Sequence, residues 1–556
     1  MKINTLNRTL VLLKRLINTS SSTKAIIHTE PQKPPVKVAV LHQPFPRVRP
    51  ETEGITEECI KSFVRELKSH RELEIQNLLI LKNGKILYEN CFGANDYRLW
   101  KNTYSQCKTI TGLAIGCLWD EGKITLQSKV IDILGDVVPV SSRLKFKNLT
   151  IEDLLTMRSS TTFNEISSMA ISDWIKGFFS SGTSGEMGKT FNYNSLNSYM
   201  LSVIVKKLTG DSLCSYLEKK LFGPMGIEEY FWETCPNGIE KGGWGLYIRP
   251  EDLAKIGQLI LNKGMWNNHQ LISEEWIDKA TSSHTKTPDN FGKYDYGYHI
   301  WVHEDTKSFL MNGMLGQNIM GFKNSGILVV SNAAIAEFFQ QSVYYDIAIK
   351  HFYHNNFSEN MLPDSRKGKN KPDNFYKSLD NKIFTVEKAP TVGLVPLFLQ
   401  SVQNNYTKGT TSVSFKIEND FMTMTYCEAD QEFILPVGLN KPIISDIEFH
   451  GEPYRVAVSG NCSINEDGLP ILKVSVSFIE TPCTRILKIY NDGYSLKMKC
   501  LETPGAKLIT NGIKTFSKSF LERPVIGASL SKIDYDYVEY KIYRLFEPVL
   551  KLTEKK

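Results

Sequence analysis

The apolar pattern of this chain changes period once, and that change sets what it can fold into. From Glu57 to about Phe352 apolar residues recur mainly at helical spacing, with short apolar runs between them. Beyond residue 380 they alternate, as in Val413-x-Phe415-x-Ile417 and over 472–479. Spacings of three and four share a helix face, and a spacing of two shares a strand face. A polar stretch with Pro363, Pro372 and several lysines separates the two textures. The 556 residues are accordingly divided into an N-terminal arm over 1–50, a mixed α/β domain over 51–355, a linker over 356–380 and a β-rich domain over 381–556.

In the first domain the spacing predicts helices over 57–67, 105–121, 151–157, 195–208, 213–221, 251–261, 274–280 and about 337–352. A hairpin is expected where two apolar runs flank Asn83-Gly84, a pair that supplies the positive φ of a tight turn. Strands are expected over 296–302, 309–311, 317–322 and 326–330. In the second domain, alternating runs flank Asn419-Asp420 and Asp492-Gly493. They predict a small antiparallel barrel or sandwich, which could serve as a lid on the first domain, a docking surface or a ligand barrel.

Composition excludes several classes. Hydrophobic residues make up 41% and charged residues 23%, with a formal charge of only +6. There is no dense Lys/Arg run, so a nucleic-acid partner is not expected. Ten cysteines without a C-x-x-C pair read as reduced, buried thiols of a cytoplasmic protein rather than a disulfide framework. No run approaches the ~20 apolar residues of a transmembrane helix. Residues 1–29 carry Lys2, Arg8, Lys14, Arg15 and Lys24 and no acid. This segment reads either as a loosely ordered or docked arm, or as a targeting or membrane-contact segment.

The chemistry centres on Tyr104-Ser105-Gln106-Cys107-Lys108, at the start of a predicted helix. Residues three apart share a helix face. A serine at a helix N-terminus meets backbone N–H groups that favour developing negative charge. A lysine in a dry pocket loses its proton more easily and can activate that serine.

Four segments, in order, resemble the penicillin-recognising serine hydrolases, a superfamily that contains class C β-lactamases, D-alanyl peptidases and related esterases and amide hydrolases. They are Ser105–Ile124, Leu149–Met157, Tyr193-Asn194-Ser195 with Leu208-Thr209-Gly210, and Gly242-Gly243-Trp244-Gly245 with the helix that leads to Gly264-Met265-Trp266. The similarity spans roughly residues 50–355. It implies an α+β catalytic domain with a central antiparallel sheet flanked by helices. It also implies a Ser105 nucleophile, Lys108 as proton acceptor, and Tyr193 as a partner in proton transfer whose pKa the Lys108 cation would lower. Either Asn194 or Ser195 would reach the site, and Ser195 is taken as the candidate. Neither a metal nor a cofactor is implied.

The chain departs from the family pattern twice. Arg158-Ser159-Ser160 lacks the usual glycine. The third motif, normally a Lys or His, any residue, then Gly, is matched by Met311-Asn312-Gly313. A methionine cannot supply a charge-assisted bond to a substrate carboxylate. The expected substrate is therefore an ester, an amide or a small peptide without that carboxylate, and turnover of β-lactams is expected to be weak or absent. The backbone N–H groups of Ser105 and Met314, with Asn312 and Gly313 beside them, are the expected oxyanion and substrate contacts. The competing reading is a non-catalytic ligand-binding or sensor protein that keeps the fold.

Other residues point to less. His299 and His303 would lie ~13 Å apart on one strand, too far for a shared metal. His351 and His354 read as surface residues, Cys107 as a core thiol, and Asp96 with Arg98 as a surface pair. Trp119 and Trp244 fit either an acyl pocket or core packing.

Overall fold

The structure is a computed structural model that describes residues 8, 11, 15, 24–27, 29–38, 40–354, 375–418, 421–464, 468–510 and 535–555. Residues 356–374 of the expected linker and the Asn419-Asp420 turn lie outside the described residues. The chain divides into two compact units, one containing Lys37–Asp364 and one joining Leu10–Val36 to Ser365–Lys556. The stretch over 31–50, a Pro-rich lead-in with Pro31, Pro34, Pro35, Pro44, Pro46 and Pro50, is thus shared between them.

The first unit is organised by helices α1 (Glu57–Ser69), α2 (Cys107–Asp120), α3 (Ile151–Leu155), α4 (Leu196–Thr209), α5 (Pro250–Leu261) and α6 (Val343–Phe352). Its strands are β1 (Ile75–Lys82), β2 (Lys85–Cys91), β3 (Asp295–Tyr296), β4 (Trp301–His303), β5 (Ser308–Gly313), β6 (Gln317–Phe322) and β7 (Ile327–Ala333). They form one seven-stranded sheet in the order β2-β1-β7-β6-β5-β4-β3, antiparallel at each pairing. Asn83 and Gly84 close the β1–β2 hairpin with φ of 50° and 73°.

Successive residues of β1 explain the layering. Leu79 and Leu81 enter a core shared with Ile110 and Leu118 of α2, Ile204 of α4 and Leu253 of α5. Leu78 and Ile80 point the other way, into a core shared with Phe63 of α1 and Phe352 of α6. A strand covered on both faces carries a continuous apolar run rather than an alternating one. Helix α2 is buried from Cys107 through Leu118, so the Ser105 segment opens onto a helix with almost no solvent face. At α3, Thr150 and Asp153 form a reciprocal capping box.

Three expectations are corrected. The strand expected over 296–302 is broken into β3 and β4, because His299 takes φ 57° in the bend between them. The closing helix starts at Val343 rather than Glu337, since the Glu337 carboxylate accepts the N–H groups of Gln341 and Ser342 ahead of it. His351 is not a surface residue. It is 1% exposed, and its Nε2 lies 2.7 Å from Glu66 Oε2.

In the second unit, period-2 alternation produces a barrel. Strands β8 (Lys382–Ala389), β9 (Thr410–Ile417), β10 (Phe421–Glu428), β11 (Glu432–Gly438), β12 (Ile443–Phe449), β13 (Glu452–Ile464), β14 (Pro470–Phe478), β15 (Thr484–Asn491), β16 (Leu496–Thr503) and β17 (Val549–Glu554) pair in the order β11-β10-β9-β8-β17-β16-β15-β14-β13-β12. A parallel Gly438–Ser459 bridge joins β11 to β13 and closes nine strands, leaving β12 outside the ring. Met422, Met424 and Tyr426 are buried inside it, alternating with less buried neighbours, and Val456, Val474 and Leu487 are buried as well. The interior also holds a buried Arg485–Glu502 pair at 3.0 Å. Lys33 from the lead-in is part of this unit, donating to Glu480 at 3.1 Å and to the Pro453 carbonyl at 2.5 Å. Among the described residues no helix is long and apolar enough to cross a membrane.

Candidate active site

Residues Tyr104–Gln106 form a single 3₁₀ turn that runs directly into α2. Tyr104 has φ 46°, a conformation that a bulky residue adopts only under constraint. The constraint is visible: the Tyr104 N–H is held by Asn102 Oδ1 at 2.9 Å, and the ring is buried. This bend leaves Ser105 half-exposed at the head of α2, while Lys108, one turn on, is 1% exposed.

Lys108 Nζ donates to Ser105 Oγ at 2.7 Å and to the Gly243 carbonyl at 2.7 Å. Burial lowers the lysine pKa to about 8, against opposing influences from Cys107 and Glu165. At neutral to mildly basic pH a fraction of this group is a free amine, a competent acceptor for the serine proton. Gly243 can come this close because it has no side chain. A Cβ there would lie 2.8 Å from Ser195 Cβ.

Tyr193 completes the group. Lys108 Nζ sits 4.9 Å from the centre of its ring. The ring stacks on Trp301 at 5.5 Å and meets the edge of Phe339 at 5.4 Å. Burial drives the phenol well above its ordinary pKa, and a hydrogen bond with Ser105 only partly offsets this. The expectation of a lowered tyrosine pKa is therefore corrected: desolvation outweighs the Ser105 hydrogen bond, and the Tyr193 phenol stays protonated.

On the other side of Ser105 the third-motif strand passes very close. A Cβ on Gly313 would lie 2.3 Å from the Thr103 carbonyl oxygen, so only glycine fits. Among the described residues the Met314 N–H, just beyond, donates no hydrogen bond. The Asn312 side chain goes elsewhere, donating to Asn318 Oδ1 at 2.9 Å and to the Tyr345 hydroxyl at 3.1 Å. Met311 is buried in the core.

Of the adjacent pair, Asn194 is committed to structure. Its amide bonds the carbonyls of Phe163 (2.8 Å) and Thr161 (3.3 Å) and the N–H of Leu196 (2.9 Å). Ser195 is the one packed against Gly243, and its N–H donates to Glu165 Oε1 at 2.9 Å. Glu165 was not singled out from the sequence, where it reads as an ordinary first-turn acid after the cap Asn164. Its charge bears on both Lys108 and Tyr193, and among the described residues it forms no ion pair. The Gly243 carbonyl was also missed, although the Gly242-Gly243 doublet signals close backbone approach.

The remaining candidates are structural. His299 bonds the Leu155 carbonyl and Ser198 Oγ, each at 2.8 Å. Burial brings its pKa to about 3, so it is neutral. Cys107 is fully buried and its thiol is pushed up to about 12, an inert group. Trp244 stacks on Trp174 at 5.4 Å, Trp119 packs on Trp276, and Asp96 pairs with Arg98 at 2.7 Å.

The family described as Beta-lactamase matches residues 63–348, about half of the chain. The chain is 23% identical over 284 residues to a 6-aminohexanoate-dimer hydrolase of Paenarthrobacter ureafaciens. That alignment covers 46% of this chain and 66% of the relative, slightly less than two thirds of its length. Among solved structures, a penicillin binding protein from Bacillus halodurans is 20% identical with a TM-score of 0.40, covering 52% of this chain and 97% of its own. A family VIII carboxylesterase is 15% identical with a TM-score of 0.42, covering 57% and 99%.

Proposed function

The chain belongs to the Beta-lactamase family, and from that premise we propose that it is a serine hydrolase that forms an acyl-enzyme on Ser105. The observation that carries this reading is the 2.7 Å contact between Lys108 Nζ and Ser105 Oγ in a buried setting. In the reaction, the free amine of Lys108 takes the Ser105 proton as Oγ bonds to the carbonyl carbon. The oxygen of the tetrahedral adduct gathers negative charge between the N–H groups of Ser105 and Met314. Two such fixed donors are worth much in a site closed to water; losing one typically costs about 100- to 1000-fold in rate. The adduct collapses and the carbon–heteroatom bond breaks. The proton held by Lys108 reaches the leaving alcohol or amine through the Tyr193 phenol, which gives one proton and receives another. Water then attacks the acyl-enzyme by the same path in reverse, releasing a carboxylic acid and restoring Ser105 and Lys108.

The proposed substrate is an ester, amide or small peptide with no carboxylate beside the scissile bond. Two observations support it: Met311 is buried and uncharged where a cation would be needed, and Glu165 places negative charge near the catalytic group. β-Lactams, which carry that carboxylate, are proposed to be turned over weakly or not at all.

The test is a fluorophosphonate probe together with p-nitrophenyl esters. Wild type should be labelled and should release a burst of nitrophenol, and Ser105→Ala should do neither. Labelling that persists in the variant excludes Ser105 as nucleophile. An unlabelled wild type without a burst favours a ligand-binding protein that keeps the fold without turnover.

A further inference from the structure

Behind the Gly313–Met314 turn lies a buried carboxyl group that the mechanism above does not use. Glu337 is nine-tenths or more enclosed, and among the described residues no lysine, arginine or histidine pairs with it. An unpaired buried carboxylate is costly and persists only where donors converge on it. Three do so here. The Tyr345 hydroxyl donates to Oε1 at 2.8 Å, and the N–H groups of Ser342 and Gln341 donate to Oε2 at 2.7 and 3.1 Å.

Both flanks of the turn are tied to this residue. On one side Asn312, the residue before Gly313, donates to the Tyr345 hydroxyl at 3.1 Å, and Tyr345 donates onward to Glu337. On the other side the Leu315 N–H donates to the Glu337 carbonyl at 2.9 Å, and the Leu315 carbonyl accepts from Ile335 N–H at 3.1 Å. Gln317 Nε2 adds a second clamp on the Leu315 carbonyl at 3.1 Å.

We propose that Glu337 is a positioning residue for the oxyanion turn, its carboxylate holding one flank of the Met314 N–H through Tyr345 and Asn312 and its backbone carbonyl holding the other through Leu315. The proposal rests on the hydrolase reading, because it assigns Met314 N–H its role. The groups that face the carboxylate from α6 and the segment before it are the phenols of Tyr345 and Tyr344 and the N–H groups of Gln341 and Ser342. From β5 and β6 the network adds the neutral amides of Asn312 and Asn318. A proton on Glu337 reverses its bond with Tyr345: the phenol turns its own proton to Asn318 Oδ1 at 3.3 Å and accepts from the carboxyl group instead. Glu337 then competes with Asn312 for the phenol oxygen, which weakens that arm and loosens the turn. Burial raises the Glu337 pKa to about 7, so this loss sets in as pH falls through neutrality.

The test is the slope of log kcat/KM against pH, measured with a neutral p-nitrophenyl ester. Lys108 must be deprotonated for turnover, and Glu337 must be deprotonated for full activity. In wild type the slope should exceed one as pH falls through about 7 and return to one, about tenfold per unit, once Glu337 is protonated. In Glu337→Gln the fall should be about tenfold per unit, a slope of one throughout, with kcat reduced and KM little changed. Tyr345→Phe, which cuts the arm to Asn312 and leaves the two backbone donors, should show the same shallower slope if the first variant does not fold. A purely structural role would lower the folded fraction and scale activity equally at every pH. A slope of one throughout in wild type, or an unchanged steep slope near pH 7 in the variants, overturns the proposal alone. Absence of Ser105-dependent turnover even at pH 9 overturns the hydrolase reading and this proposal with it.

Discussion

The carbonyl oxygen of Gly243 lies 2.7 Å from Lys108 Nζ, so the second hydrogen bond of the buried lysine goes to a neutral dipole and not to a carboxylate. A carboxylate at that distance would lock the lysine as an ammonium ion. The carbonyl orients the amine and leaves burial to dominate, which brings the pKa to about 8. The amine must be neutral to accept the Ser105 proton, so kcat/KM for a neutral ester should rise with pH and level off above about 8. Lys108→Ala should lower kcat by about 1000-fold. A flat profile from pH 6 to 9 in wild type would remove Lys108 from the role of base.

Tyr193 should behave as a donor and not as the base. Burial keeps its phenol protonated throughout the working range. Tyr193→Phe is expected to lower kcat by about 100-fold and to leave the midpoint of the rising limb where it was, since that limb belongs to Lys108. Parallel pH profiles of the two proteins check this. A limb that moves or disappears with the phenol would mean that Tyr193 is the titrating base.

Glu165 should tune both pKa and selectivity. Its negative charge raises the lysine pKa against burial. Glu165→Gln can keep the 2.9 Å bond from Ser195 N–H while losing the charge. The Lys108 limb should then move below about 8, because removing a nearby anion destabilises the ammonium form. The variant should also accept carboxylate-bearing esters better, by about tenfold relative to neutral ones. Unchanged midpoint and unchanged selectivity together would show that the carboxylate acts only as a backbone cap.

How much of this was legible in the sequence depends on how local the signal was. Ser105, Lys108 and the Asn83-Gly84 hairpin sit in short windows whose spacing carries the geometry. Continuous apolar runs such as Leu78–Leu81 gave the strand, and its two-faced burial follows from helices on both sides. Alternation beyond residue 380 gave strands but not closure, which turns on the single Gly438–Ser459 bridge. Glu165 and Glu337 were invisible because an acid's role depends on what folds against it: 30 residues separate Glu165 from Ser195, and Glu337 is joined to Asn312 only through Tyr345. The Tyr193 pKa was misjudged for the same reason. Its lysine neighbour was readable from the motif, whereas the aromatic enclosure by Trp301 and Phe339 was not.

The missing glycine after the α3 segment gives the last prediction. Ser160 adopts φ 56°, the left-handed region that costs a residue with a Cβ roughly 1–2 kcal/mol and glycine almost nothing. The residue is 1% exposed, and among the described residues its hydroxyl has no hydrogen-bond partner. An unsatisfied buried hydroxyl adds a further cost of about 1 kcal/mol or more. Glycine opposes these gains with greater freedom in the unfolded chain, roughly 0.4–1 kcal/mol, and with the small void left by the lost side chain. The balance favours the substitution: Ser160→Gly should stabilise the protein by about 1 kcal/mol, read as a higher midpoint in urea at an unchanged slope. It should leave the pH profile of kcat/KM unaltered, since the Ser160 backbone carbonyl keeps its 2.8 Å bond from Ser184 N–H. A destabilised variant would mean that the serine hydroxyl is satisfied in solution and offsets the strain of its backbone.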